Sequence, residues 1–287
     1  METAELLKKV RKIEIKTKKL TSDLFTGQYH SAFKGKGMLF SEVRKYVPGD
    51  DVRDIDWNVT AKLSEPYVKI FEEERELTMM LLVDLSSSEL FGSSLATKRE
   101  LITELCAVLA FSAMQNNDKV GVIFFTDEIE FFLPPKKGKK HVLRIIRELI
   151  NFKPKGKKTN ISHACQYFNN IVKKKSIVFL VSDFLDNNYL NSLSLISKKH
   201  DLTGIRIFDQ LESKIKSMGM GLFTNLEDNT SYWLDTSDVN VQNSIKKESL
   251  NKLSYCKSSF LKSGSAVINI STEDSYIYKL LEFFKNR

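Results

Sequence analysis

From residue 77 onward, short apolar runs alternate with longer stretches in which apolar residues return every three or four positions. Leu77 to Val83 is an apolar run of strand length, broken only by Thr78. Across Lys98 to Asn116, Leu101, Leu105, Val108, Leu109 and Ser112 share one helical face. Further apolar residues flank that face, so a well-buried helix is expected. Lys119 to Phe125 reads as a strand that turns at Thr126-Asp127-Glu128 into Ile129 to Leu133. These two strands predict a hairpin, and Pro134-Pro135 is expected to end its edge. Helical spacing returns over His141 to Ile150, and over Asn160 to Lys173 through Ile161, Ala164, Phe168 and Ile171. The run SIVFLV, Ser176 to Val181, predicts a buried strand. Tyr189 to His200 predicts a helix, Leu202 to Phe208 a strand, Ala266 to Ile270 a strand, and Tyr276 to Phe284 a closing helix.

Strands separated by helices of ten or more residues imply parallel crossovers. Strands apolar throughout imply a sheet covered on both faces. The expected fold is therefore α/β, a doubly wound and mostly parallel sheet with one antiparallel edge strand, spanning 76–287. Residues 1–75 lack this rhythm. They carry KGKGM (34–38) and the dense segment YVPGDDVRDIDW (46–57), and are expected to form an N-terminal appendage packed on the main domain. There, Asp50, Asp51, Asp54 and Asp56 either make turns and pair with Arg44 and Arg53 or form a metal site of their own, and Trp57 is expected to pack in a core or against the main domain. No internal repeat or low-complexity linker occurs.

Composition narrows the class. The chain has 287 residues, 42% of them apolar, which is enough for a sizeable core. No stretch approaches the roughly 18–20 apolar residues of a membrane span. The first twenty residues are too charged for a signal-peptide core, which points to a cytoplasmic protein. Cys106, Cys165 and Cys256 are odd in number and widely spaced, which suggests neither a disulfide framework nor a zinc knuckle. His163 and Cys165 form too small a pair to argue for a metal. The net charge of +8 is concentrated in KKGKK (136–140) and KPKGKK (153–158). Such loops are either solvated faces or attractors of nucleic acid, anionic lipid or an acidic protein. No aromatic residues interleave with the lysines as a stacking platform requires, which argues against nucleic acid.

The candidate chemistry lies where strands end. Open α/β sheets bind ligands beyond the carboxyl ends of their strands, at the point where strand order reverses. LLLVD ends on Asp84 and is followed by Ser86 and Ser88, and VFLVSD ends on Asp183. Between them, Thr159 directly precedes a helix. Carboxylates and hydroxyls are hard oxygen donors that suit Mg²⁺ or Mn²⁺. Each residue also has a plainer reading: Ser86 and Ser88 as caps of the next helix, Thr159 as an N-cap, and Asp183 as a turn residue. A strand ending in aspartate is shared with aspartyl-phosphate phosphotransferases. Those enzymes place a second acid two residues on, where this chain has Ser86, and no histidine lies near the serines in sequence.

Asp84, Ser86 and Ser88 in a D-x-S-x-S pattern, with a later Thr159 and Asp183, resemble the metal-ion-dependent adhesion site (MIDAS) of von Willebrand factor A (VWA) domains. The segment GMLFSEVRKYVPGDDVRDIDWNVTAKLSEPYVKIFEEERE, together with NNDKVGVIFF, LPPKKGKKHVLRII and VSDF, resembles one bacterial branch, the family of domains of unknown function numbered fifty-eight. The resemblance covers roughly residues 29–287. It implies a VWA fold, a Mg²⁺ or Mn²⁺ site on those five residues, and no catalytic activity. Genes of this family commonly neighbour a MoxR-type AAA+ ATPase and further VWA proteins. The resemblance therefore implies an adaptor or chaperone-like role, in which an acidic side chain of such a partner docks on the metal. In that architecture the loop carrying Lys153, Lys155, Lys157 and Lys158 borders the metal face. Glu89 and Phe184 depart from the family pattern, which often has methionine and glycine there, and neither departure removes a ligand.

Overall fold

The computed structural model describes residues 39–72, 77–87, 97–209, 217–224 and 230–287. They form two compact units, one within Phe33–Leu77 and one built on Thr78–Arg287. Ser88, Glu89, His30 and the KGKGM segment lie outside the described residues.

In the smaller unit, β1 (Leu39–Lys45) pairs antiparallel with β2 (Tyr67–Glu72). A 3-10 turn (Val52–Asp54) and α1 (Trp57–Leu63) connect them. Most of the aspartates of this segment have structural partners. Asp50 accepts from both terminal nitrogens of Arg44, at 2.8 and 2.7 Å, and from Val47 N. Asp51 caps the 3-10 turn through Arg53 N. Asp56 caps α1 through Asn58 N and Val59 N. Trp57 does not pack in a core of this unit: it is 66% exposed, on a helix that buries none of its residues.

The larger unit is a six-stranded sheet in the order β10-β7-β6-β3-β4-β5. Its strands are β3 (Thr78–Asp84), β4 (Lys119–Phe125), β5 (Ile129–Lys136), β6 (Ile177–Ser182), β7 (Asp201–Phe208) and β10 (Ala266–Ser271). All neighbours run parallel except β4 and β5. The architecture is thus the expected α/β, mostly parallel sheet with one antiparallel edge strand. Its helices are α2 (Lys98–Gln115), α3 (Lys139–Asn151), α4 (Ile161–Ile171), α5 (Leu190–Ser197), α6 (Val239–Ser263) and α7 (Tyr276–Lys285).

Period-two alternation divides each strand between the two faces. Met80 and Leu82 of β3, Ile123 of β4 and Leu180 of β6 pack with Phe168 of α4, Ile196 of α5 and Phe260 of α6. Met79, Leu81 and Val83 point to the opposite face, where α2 and α3 pack. The Phe179 and Phe284 rings, 6.4 Å apart, bring α7 to that side as well. Helix α2 buries residues all round rather than along one stripe, as its near-continuous apolar sequence anticipates. The three cysteines are buried and free. Among the described residues no helix is long and apolar enough to cross a membrane.

Two stretches differ from the sequence expectation. Pro134-Pro135 does not end β5, which runs on to Lys136. The register jumps between Val120 and Val122, so the two prolines occupy a bulge on an outermost strand, where missing amide donors are tolerated. Between Asp209 and Ser265, where the apolar pattern assigned no element, lie the hairpin β8 (Met220–Thr224) and β9 (Ser231–Asp235) and the 25-residue α6. Asp238 caps α6, and Gly264 ends it at φ 72°, a conformation that favours glycine.

Candidate metal centre

Strand order reverses beside β3: the chain leaves it toward β4 on one side and returns to β6 on the other. Val83 pairs with Val181, so the next residues, Asp84 and Ser182, stand side by side at the carboxyl edge. Ser182 Oγ donates to Asp84 Oδ2 at 2.6 Å and accepts from Phe184 N at 3.1 Å. Asp84 Oδ1 accepts from Ser86 N at 3.0 Å, which folds the following loop back over the carboxylate. Asp183, next along β6, receives Leu185 N on Oδ1 at 3.2 Å and Lys98 Nζ on Oδ2 at 3.2 Å. Arg206 Nε donates to the Asp183 carbonyl at 3.2 Å, and its guanidinium lies over the Phe208 ring. Asp84, Ser86, Lys98, Asp183 and Arg206 are all buried.

The loop ahead of α4 is tied to this edge. Lys157 O accepts from Ser87 N at 3.1 Å and from Ser87 Oγ at 2.8 Å. Thr159 lies two residues further, and its hydroxyl has no hydrogen-bond partner among the described residues. Glu130 Oε1 accepts from Lys155 N, Gly156 N and Thr126 Oγ1, at 2.8, 2.7 and 3.1 Å. A Cβ on Gly156 would run into the Asp127 and Thr126 side chains, so the close approach needs glycine. Asp186 Oδ2 accepts from Ile161 N at 2.8 Å at the start of α4.

Asp84, Ser86 and Asp183 are brought together, and Thr159 is carried on a loop bonded to theirs. Ser88 is outside the described residues. The plainer readings fare unevenly. Helix α2 is capped by Thr97 in a capping box with Glu100. Asn160, not Thr159, caps α4 by accepting from His163 N. Asp183 does hold a turn, through Leu185 N, but with one oxygen only. His163 is exposed and Cys165 buried, on different faces of α4. Lys153, Lys155, Lys157 and Lys158 are exposed on the Thr159 loop. Lys98, Ser182, Glu130 and Asp186 were not anticipated. For Ser182 and Asp186 the available signal is their place beside Asp183 at a strand end.

Burial, and after it the neighbouring Asp183 charge, push the Asp84 carboxyl well above the usual carboxylate range, against the hydrogen bonds from Ser182 and Ser86. Burial likewise raises Asp186, against the amide bonds from Ile161 and Asn187. Asp84 and Asp183 are thus two fully buried carboxyls at one sheet edge, with Lys98 paired to Asp183. No three His, Cys, Asp or Glu side chains converge as a metal cluster among the described residues. An ion at this edge would therefore rest on Asp84 and Asp183, with the neutral oxygens of Ser86 and Thr159 as further donors. An all-oxygen set rich in hydroxyls fits Mg²⁺ or Mn²⁺, which retain several waters, and does not suit softer metals.

Residues 42–253 match the family described as "Protein of unknown function DUF58". The uncharacterized protein Rv1480 of Mycobacterium tuberculosis is 26% identical over 213 residues, which are 73% of this chain and 67% of that protein. An aerotolerance-related membrane protein from Bacteroides fragilis superposes with a TM-score of 0.50 at 14% identity, covering 74% of this chain and 100% of that one. The SpRpn10 VWA domain gives a TM-score of 0.38 at 10% identity, over 72% of this chain and 94% of that one.

Proposed function

The chain belongs to the DUF58 family of proteins of unknown function, and we propose that it acts there as a divalent-cation-dependent protein-binding module without catalytic activity of its own. The observation that carries this reading is the pair of buried aspartates where strand order reverses, Asp84, which accepts from Ser182, and Asp183, the next residue after Ser182. Asp84, Ser86, Thr159 and Asp183 would hold Mg²⁺ or Mn²⁺. When bound, the ion supplies an electron-poor position that accepts a carboxylate oxygen from outside. Ser182 and the Ser86 amide fix the Asp84 carboxylate so that it does not swing away. Arg206 fixes the backbone of Asp183. Glu130 and Ser87 hold the Thr159 loop at the edge.

The partner is a protein presenting an acidic side chain, and we infer a MoxR-type AAA+ ATPase or another VWA protein. The exposed Lys153, Lys155, Lys157 and Lys158 suit that choice. Solvent-exposed charges steer encounter and are screened over about 8–10 Å at physiological salt, whereas a bond to a central cation governs dissociation. Surface plasmon resonance with a purified MoxR-type ATPase tests both parts. Binding is expected in Mg²⁺ and is expected to vanish in EDTA or with Asp84→Ala. Reversing Lys155, Lys157 and Lys158 to Glu should slow association severalfold at low salt and leave metal affinity nearly intact. Binding indifferent to EDTA would refute the metal-dependent reading. Turnover of a phosphate ester, lost on Asp84→Asn, would instead favour an enzyme.

A further inference from the structure

Lys98 breaks two rules at once. It is the first residue of α2, where the helix dipole favours acids over cations. It is also only 1% exposed, and lysine is almost never buried to that degree unless paired. One partner is Asp183, 0% exposed, with Nζ at 3.2 Å from Oδ2. Such a pair is a poor way to stabilise a fold, because taking both charges out of water offsets most of their attraction. Its position gives it another use. Asp183 Oδ1 accepts from Leu185 N and Oδ2 from Lys98, so an ion bound to Asp183 would have to share its oxygens with the ammonium.

We propose that Lys98 is a cation built into the site, one that competes with the divalent ion for Asp183 and so makes metal binding depend on an acidic partner. This rests on the metal reading above and deepens it. Lys98 adds one positive charge beside the two aspartates, where the Arg206 guanidinium is also buried. A divalent ion adds two more, which is costly at a buried edge. The carboxylate of a partner offsets part of that excess. With Lys98 in place the ion binds weakly alone and more tightly together with an acid. Without Lys98 the excess is one charge smaller, so the ion binds more tightly alone and gains less from a partner carboxylate. Lys98 thus positions the balance between metal and partner and contacts neither reacting bond nor substrate.

The test is Mn²⁺ titration of the full chain by calorimetry, for the parent, Lys98→Met, Lys98→Gln and Lys98→Arg. The neutral variants should bind Mn²⁺ about tenfold more tightly or better, the scale of one buried charge at contact distance, and Lys98→Arg should resemble the parent. Equal affinity in all four, with binding still abolished by Asp84→Ala, would overturn the role of Lys98 and leave the metal site standing. No Mn²⁺ binding by any of the four would overturn both. If the neutral variants do not fold, the parent chain decides through the NMR signal of the Lys98 ammonium. Saturating Mg²⁺ should shift that signal or open it to solvent exchange, whereas a signal unmoved by Mg²⁺ would overturn the proposal.

Discussion

His200 carries a buried imidazole, 2% exposed, with neither ring nitrogen finding a partner among the described residues and its ring 4.7 Å edge-on to Phe168. Burial first, and Lys199 second, lower its pKa to about 4. The sign follows directly. The unfolded chain takes up a proton near pH 6.5 and the folded chain only near pH 4, so this residue costs stability progressively as pH falls between those values. The full cost is at most roughly 3 kcal/mol. His200→Phe keeps the ring contact and removes two unsatisfied polar atoms, so at pH 7 it should be neutral or stabilising. Urea unfolding of both chains from pH 7 to pH 4 checks this: the variant should gain on the parent as pH falls, and parallel curves would contradict the assignment. Phe184 marks another residue-level compromise. Its φ of 57° lies in the left-handed region that favours glycine, yet its ring is 5.2 Å from Phe260 and 5.9 Å from Tyr189. Core packing there outweighs a backbone cost of about 1–2 kcal/mol. Asp84, Ser86 and Asp183 were legible in the sequence because a strand that ends on oxygen donors breaks its own apolar pattern. Lys98 was not legible. A lysine beside Arg99 and Glu100 at a helix start reads as solvated surface, and only the fold turns it inward.

At the scale of elements, the site depends on how firmly the Thr159 loop is held. Three donors converge on Glu130 Oε1, two of them backbone amides of that loop. Glu130→Ala removes the shared acceptor and should cost on the order of 1–2 kcal/mol of local stability. Hydrogen exchange at the Lys155 and Gly156 amides should accelerate about tenfold or more, and Mn²⁺ affinity should fall with it. Unchanged exchange and unchanged affinity would show that the loop is held elsewhere. This latch escaped the sequence reading because it joins residues about 25 positions apart, across strand β5 and a loop without regular structure. The larger omission, α6, has a similar cause. Only Cys256, Ser259 and Phe260 of its 25 residues are buried, too few to print a helical period on the sequence. The central strands and α2 were legible for the opposite reason: both faces of β3 and β6 are buried, and their apolar runs are unbroken.

Across the whole molecule, the α/β alternation predicts where a ligand should sit before any side chain is placed, and the buried carboxylates stand at that switch point. The aspartates of the small β1–β2 unit are engaged mostly in capping and pairing, whereas Asp84 and Asp183 at the edge of the larger sheet are fully buried. The excess of basic residues, net +8 for the chain, supplies exposed lysines on the loop bonded to that edge. The account as a whole therefore turns on whether a divalent ion binds between Asp84 and Asp183. The most direct measurement is an anomalous difference map from crystals of the full chain soaked in saturating Mn²⁺ together with acetate, which stands in for the partner's carboxylate. A peak is predicted within bonding distance of carboxylate oxygens of both aspartates, with the Lys98 ammonium drawn away from Asp183. A map with no peak there, or with manganese only at Asp50–Asp56, would contradict it.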